Sequence, residues 1–160
     1  MKFSTRRDIA APIDFVFRQA ADFEAHMRQF LRRGVEIVRT DSLPGIAEGM
    51  SWDAGFRFRG RQRRLSSRLA RFEPPEGFCI HTVSGGVESD FEIGLLALSR
   101  RHTRLRVGLE LRPRTISARL LIQSMKLGKA RLSARFARRV ADFAEEVEAR
   151  FSGPFGDGVS

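Results

Sequence analysis

The densest set of reactive side chains in the sequence lies between Cys79 and Glu92. Cys79 and His81 stand two apart in one alternating apolar segment, and Asp90 and Glu92 stand two apart in the next. A thiol, an imidazole and two carboxylates are the parts of a nucleophile activated by a base. The alternation argues against that chemistry, because Phe78, Ile80 and Thr82 take one face of the first segment and leave Cys79 and His81 on the other, outer face. There His81 and Asp90 read as a cross-strand polar pair. No catalytic residue is assigned. His26, His81 and His102 fall on separate elements, and no Cys-x-x-Cys or His-Glu-x-x-His spacing occurs, so neither a metal site nor a cofactor is expected.

The second chemical feature is arginine. The 160 residues carry 29 Lys+Arg against 19 Asp+Glu, a formal charge of +10, and lysine occurs only at Lys2, Lys126 and Lys129. Guanidinium groups suit phosphate and carboxylate partners, although genome base composition gives the same bias without any function. Arg57, Arg59, Arg61, Arg63 and Arg64 crowd one hairpin tip as a candidate contact for an anionic membrane. Nucleic-acid modules add exposed aromatics for stacking, whereas here the phenylalanines alternate inward and tyrosine is absent, so a nucleic-acid partner is the less favoured reading. The opening Met1 to Asp8 shows no apolar signal segment, no apolar run is long enough to span a bilayer, and a lone Cys79 excludes an internal disulfide. A cytoplasmic protein is expected.

These side chains need elements to position them. Phe3 to Ile9 alternates as a strand; Pro12 opens a helix whose inner face is Ile13, Val16, Phe17 and Ala20; Asp22 caps a second helix that ends at Gly34. Strands follow at Val35 to Thr40, Met50 to Phe58 and Arg63 to Phe72, the last two joined by a turn at Gly60-Arg61 that pairs Phe56 with Leu65, Ala54 with Ser67 and Trp52 with Leu69. A Gly85-Gly86 turn pairs Ile80 with Phe91, Phe78 with Ile93 and His81 with Asp90. A last strand alternates Leu105, Val107, Leu109 and Leu111 and ends at Pro113. From about Thr115 to Phe151 one long helix, roughly 50 Å, carries Leu121, Met125, Gly128, Leu132, Phe136, Val140, Phe143, Val147 and Phe151 on a single stripe. The predicted class is α+β: a curved antiparallel sheet of about seven strands wrapped around a long C-terminal helix, with two short helices after the first strand. One domain over residues 1–152 and a loose tail over 153–160 are expected.

This order of elements, with the opening Asp8-Ile9-Ala10-Ala11-Pro12-Ile13-Asp14-Phe15-Val16-Phe17, resembles the START-like helix-grip superfamily, also called SRPBCC. The resemblance spans Lys2 to about Phe151 and rests on topology rather than on a catalytic signature. It implies a ligand held between the concave face of the sheet and the long helix. The matching inward residues are Trp52 and Phe56, Leu65, Ser67 and Leu69, Phe78, Ile80 and Thr82, Phe91 and Ile93, and Val107 and Leu109 on the strands. On the helix they are Leu121, Ser124, Met125, Gly128 and Leu132. Three functions remain open: a noncatalytic binder of a small hydrophobic molecule such as a lipid, a quinone or a polyketide-like ring system; a cyclase or aromatase acting on a polyketide-like substrate; and a nucleic-acid or protein adaptor working through the arginines.

Overall fold

In the computed structural model, which describes residues 1–153, Lys2–Ile9 forms strand β1 at one edge of the sheet. The chain then turns at Pro12, the N-cap of α1 (Ile13–Ala20). Its fixed φ and missing N–H suit a helix start. Asp22 caps α2 (Phe23–Arg32) by accepting the Ala25 N–H at 3.2 Å, and Gly34, at φ +85°, follows the end of the helix. Strands β2 (Glu36–Arg39), β3 (Ser51–Phe58), β4 (Arg61–Glu73), β5 (Gly77–Ser84), β6 (Val87–Ser99) and β7 (His102–Pro113) follow. All neighbours are antiparallel, in the order β1-β7-β6-β5-β4-β3-β2. Thr115 caps α3 (Ile116–Lys126), and α4 (Lys129–Ser152) lies closest to β1. Of the tail expected at 153–160, residues 154–160 lie outside the described residues.

Two expectations are corrected. The single helix from Thr115 to Phe151 is two helices, broken at Leu127-Gly128, with Gly128 as the N-cap of α4. Glycine in a helix interior costs about 1 kcal/mol relative to alanine, and here Gly128 stands outside both helices, at φ −108° and ψ 20°. The β3–β4 hairpin turns at Arg59-Gly60, not at Gly60-Arg61: Phe56 pairs with Arg63, Ala54 with Leu65 and Trp52 with Ser67. A two-residue turn that matches strand twist needs positive φ at both central residues, and Arg59 and Gly60 have φ +52° and +75°. Because the slip is two residues, every side chain keeps its face. The β5–β6 register is as the Gly85-Gly86 turn predicts.

A bulge in β4 between Leu69 and Arg71 inserts one residue. It brings Phe72, of even number, onto the same inner face as Leu65 and Leu69, where its ring packs 5.6 Å from that of Phe17. The β1, β7 and β6 side of the sheet is filled by α1 and the C-terminal half of α4, around the fully buried Ile9, Val16, Leu105 and Val147. A wall of aromatic rings borders this packed half: Phe23 lies 5.2 Å from Phe78 and 5.5 Å from Trp52, and Phe17 lies 6.3 Å from Phe78. Among the described residues no helix is long and apolar enough to cross a membrane.

The connection from β2 to β3 is clamped by one partly buried ion pair. Asp41 accepts bonds from Arg39 Nε (2.9 Å) and Nη2 (2.8 Å) and from the N–H groups of Leu43 (2.9 Å) and Ser51 (2.8 Å). Arg39 Nη2 also donates to the Leu43 and Gly45 carbonyls, both at 3.0 Å. The Arg39 guanidinium, helped by the two N–H groups and opposed by burial, holds the Asp41 carboxyl well below the usual carboxylate range. A lowered folded pKa gives stability that is present above the unfolded pKa of about 4 and is lost as pH falls through the folded value. Asp41→Asn is therefore expected to lower the thermal midpoint at pH 7, with the gap to the wild type closing in strong acid. An unchanged gap across a pH series would show that the carboxylate charge is not what holds this loop.

Candidate apolar cavity

Beyond the aromatic wall the sheet is not filled. A cavity of about 710 Å³ lies between α2 and the inner faces of β2 to β6, with Phe143 of α4 at its side. Strand alternation aims Ile37 from β2, Trp52, Ala54 and Phe56 from β3, Leu65 and Ser67 from β4, Phe78 and Ile80 from β5 and Phe91 from β6 into it. The amphipathic helix α2 adds Phe23, His26, Met27, Gln29 and Phe30. Gln29, Phe30 and Arg57 are exposed, so the cavity opens to solvent beside them. The volume falls within the roughly 300–1,000 Å³ of sites for small molecules.

Polar groups on this lining are few and mostly committed. Ser67 and Thr82 share a hydroxyl–hydroxyl bond of 2.7 Å. His26 Nε2 donates to the Ala20 carbonyl at 2.9 Å, and because a carbonyl only accepts, this bond places the proton of a neutral imidazole on Nε2. The ring's Nδ1 then carries the free lone pair. Trp52 holds the one buried side-chain polar atom without a partner among the described residues, its indole N–H.

Of the residues expected to line a ligand site, the structure brings Trp52, Phe56, Leu65, Ser67, Phe78, Ile80 and Phe91 together on this lining. Leu69, Ile93 and Val107 lie instead in the packed core. Thr82 stands behind Ser67, its hydrogen-bond partner, and Leu109 pairs with Phe91 and Phe3 without reaching the lining. Leu121, Ser124, Met125, Gly128 and Leu132 are also away from it, because the break at Gly128 leaves α3 against β7. Ser124 is exposed and donates to the Leu121 carbonyl at 2.7 Å. Sequence reasoning missed the contribution of α2. Its signal was present in Phe23, Met27 and Phe30 at steps of four and three.

The Cys79 constellation is on the outer face. His81 Nδ1 lies 2.7 Å from Asp90 Oδ1, and Arg112 Nη1 lies 2.7 Å from Asp90 Oδ2. Burial acts to raise the Asp90 pKa, but these two partners outweigh it and the carboxyl ends lower than usual. Burial, with Asp90 and Glu92 beside it, pushes the Cys79 thiol up, the opposite of an activated nucleophile. At the β3–β4 tip the Arg59 and Arg63 guanidinium groups each lie 5.4 Å from the Phe58 ring centre, and Arg59 Nη1 reaches Ser124 Oγ at 3.4 Å. Arg57 stands at the cavity rim, while Arg61 and Arg64 are exposed. No group of His, Cys, Asp and Glu among the described residues has the geometry to hold a metal ion.

No family model matches the sequence, and no curated protein matches it. Solved structures do resemble the fold. The chain is similar to the Zhui aromatase/cyclase from Streptomyces sp. R1128, at 15% identity over 94% of each chain with a TM-score of 0.63. It is similar to TTHA0849 from Thermus thermophilus, at 18% identity over 96% of this chain and 100% of that one with a TM-score of 0.64. It is also similar to Ara h 8.0201, at 9% identity over 94% and 96% of the two chains with a TM-score of 0.56. With a seven-stranded antiparallel sheet, two short helices after the first strand and a long C-terminal helix, the chain has the helix-grip fold.

Proposed function

We propose that the protein binds a small hydrophobic molecule, of lipid, quinone or polyketide-like character, in the cavity between α2 and the sheet. The observation that carries this reading is the cavity of about 710 Å³ with an almost wholly apolar lining. Interiors otherwise pack with few voids larger than a water molecule, and an apolar hollow of this volume with an opening to solvent has the size and character of a small-molecule site. Native mass spectrometry of the purified protein, followed by organic extraction, is expected to release a discrete lipid-like or aromatic adduct. Titration with the neutral dye Nile red tests the same cavity in the empty protein, and Phe56→Arg, which sets a charge in the lining, is expected to abolish dye binding. A folded wild type that carries no adduct and takes up no dye would overturn the reading.

Loading from an anionic membrane surface in the cytoplasm fits the surroundings of the cavity. Ile116, Leu120 and Leu127 of the α3 segment are exposed at 81%, 66% and 93%, and the Arg59–Ser124 contact joins this apolar face to the arginine-rich hairpin tip. Apolar side chains flanked by guanidinium groups suit the headgroup boundary of such a membrane.

A cyclase-type reaction is the second reading, and His26 is the observation in its favour. An imidazole held through its Nε2 to the Ala20 carbonyl, with no partner on Nδ1 among the described residues and with the residue on the cavity lining, is the candidate to take a proton from a bound substrate. Under this reading His26→Phe leaves ligand uptake intact and removes turnover.

A further inference from the structure

A second cleft, of about 550 Å³, lies between α1, α2 and α4 on the other side of α2. His26, Gln29, Phe30 and Phe143 line both spaces, so one layer of side chains separates them, and the exposed Gln29 and Phe30 place the two openings next to each other. The chemistry changes completely across that layer. The cleft is walled by Arg33 from the end of α2 and by Arg135, Arg138, Arg139 and Arg150 along α4, against Asp22, Asp142 and Glu146. Asp22 is committed to the α2 cap, and Arg150 Nη1 donates to Gln19 Oε1 at 2.8 Å. Among the described residues, Arg33, Arg135, Arg138 and Arg139 make no side-chain hydrogen bond or ion pair. Four free guanidinium groups then face two uncommitted carboxylates.

Free guanidinium forks match carboxylate and phosphate oxygens, and like charges held side by side repel until an anion joins them. A wholly apolar ligand would make no use of this cleft, and a free anion would make no use of the cavity. We propose that the ligand is an amphipathic anion: its hydrocarbon body fills the apolar cavity, and its carboxylate or phosphate head sits at the shared mouth against Arg33, Arg135, Arg138 and Arg139. The inference rests on the cavity being a ligand site and adds the head group. Gln29 and Phe30, exposed at the mouth, mark where the chain of such a ligand passes from cavity to cleft.

The test is displacement of Nile red by laurate, lauryl phosphate and lauryl alcohol, three compounds with the same chain and different heads. At low salt the better of the two anions is expected to bind about tenfold more tightly than the alcohol, the scale of several exposed charge contacts, and the margin should shrink as salt rises. The order of laurate and lauryl phosphate tells a carboxylate head from a phosphate head. In the triple variant R135Q/R138Q/R139Q the anions should fall to the level of the alcohol, with folding checked by the thermal midpoint. If the wild type binds the alcohol as tightly as both anions, or if the preference ignores salt, the inference fails while the container reading stands. If the dye binds and none of the three displaces it, the inference fails while the container reading stands; if the wild type takes up no dye at all, the container reading itself fails. The salt series on the wild type decides the question even if the triple variant does not fold.

Discussion

Ala54→Trp is expected to weaken Nile red binding by at least about tenfold, a change of about 1.4 kcal/mol, while the thermal midpoint holds or rises. Ala54 is buried on β3 between Ile37 of β2 and Leu65 of β4, and its methyl group faces the empty cavity. An indole there fills space that no atom occupies, so the strain of about 1–3 kcal/mol that follows enlargement in a packed core does not arise. Tryptophan is also well suited to a strand. The added ring buries apolar area and occupies the ligand's volume. Dye titration beside a thermal melt separates the two effects. Unchanged affinity in a stable variant would mean that the dye binds elsewhere and that the cavity is not the site.

Leu69→Ala is expected to do the reverse: a loss of about 3 kcal/mol of stability, roughly 10 °C in the thermal midpoint, with dye affinity unchanged. Leu69 is fully buried in the packed core, and its backbone is tied at both groups, its N–H to the Met50 carbonyl (2.7 Å) and its carbonyl to the Gly49 N–H (2.9 Å). Neighbours held this firmly collapse little around a deleted side chain, so a void remains. Denaturant unfolding measures the loss. A dye affinity that fell with stability would place Leu69 on the ligand's side of the aromatic wall and redraw the boundary of the cavity.

The contrast between Ala54 and Leu69 shows where reading the sequence stopped. Both alternate inward, and alternation reports only the face of the sheet, not what lies opposite it. The same limit explains the hairpin error, since Phe56 opposite Arg63 and Phe56 opposite Leu65 give identical faces. Glycine second in Arg59-Gly60 was the available clue, because such turns favour glycine there. The helix stripe ran through Gly128 because a periodicity of three and four continues across a short break in the helix. The bulge at Ala70, which carries Phe72 onto the inner face, left no mark in the alternation that could be told from noise.

Local chemistry was therefore enough for what depends on near neighbours. Pro12 and Asp22 start two helices, the two glycines at 85 and 86 set the β5–β6 register, and the paired arrangement of His81 and Asp90 follows from it. Together with the order of the elements these made the helix-grip fold legible before any coordinates. Tertiary structure alone decided which half of the sheet is packed and which is hollow. That division depends on how α1, α2 and α4 share the inner face: α1 and α4 fill one side with Val16, Ala144 and Val147, whereas α2 stands off the other. It also brought Arg33 together with Arg135, Arg138 and Arg139, about a hundred residues further along the chain, in the cleft that shares His26, Gln29, Phe30 and Phe143 with the cavity. No periodicity encodes a gap between two surfaces, because a gap is a property of the distance between elements and not of either one.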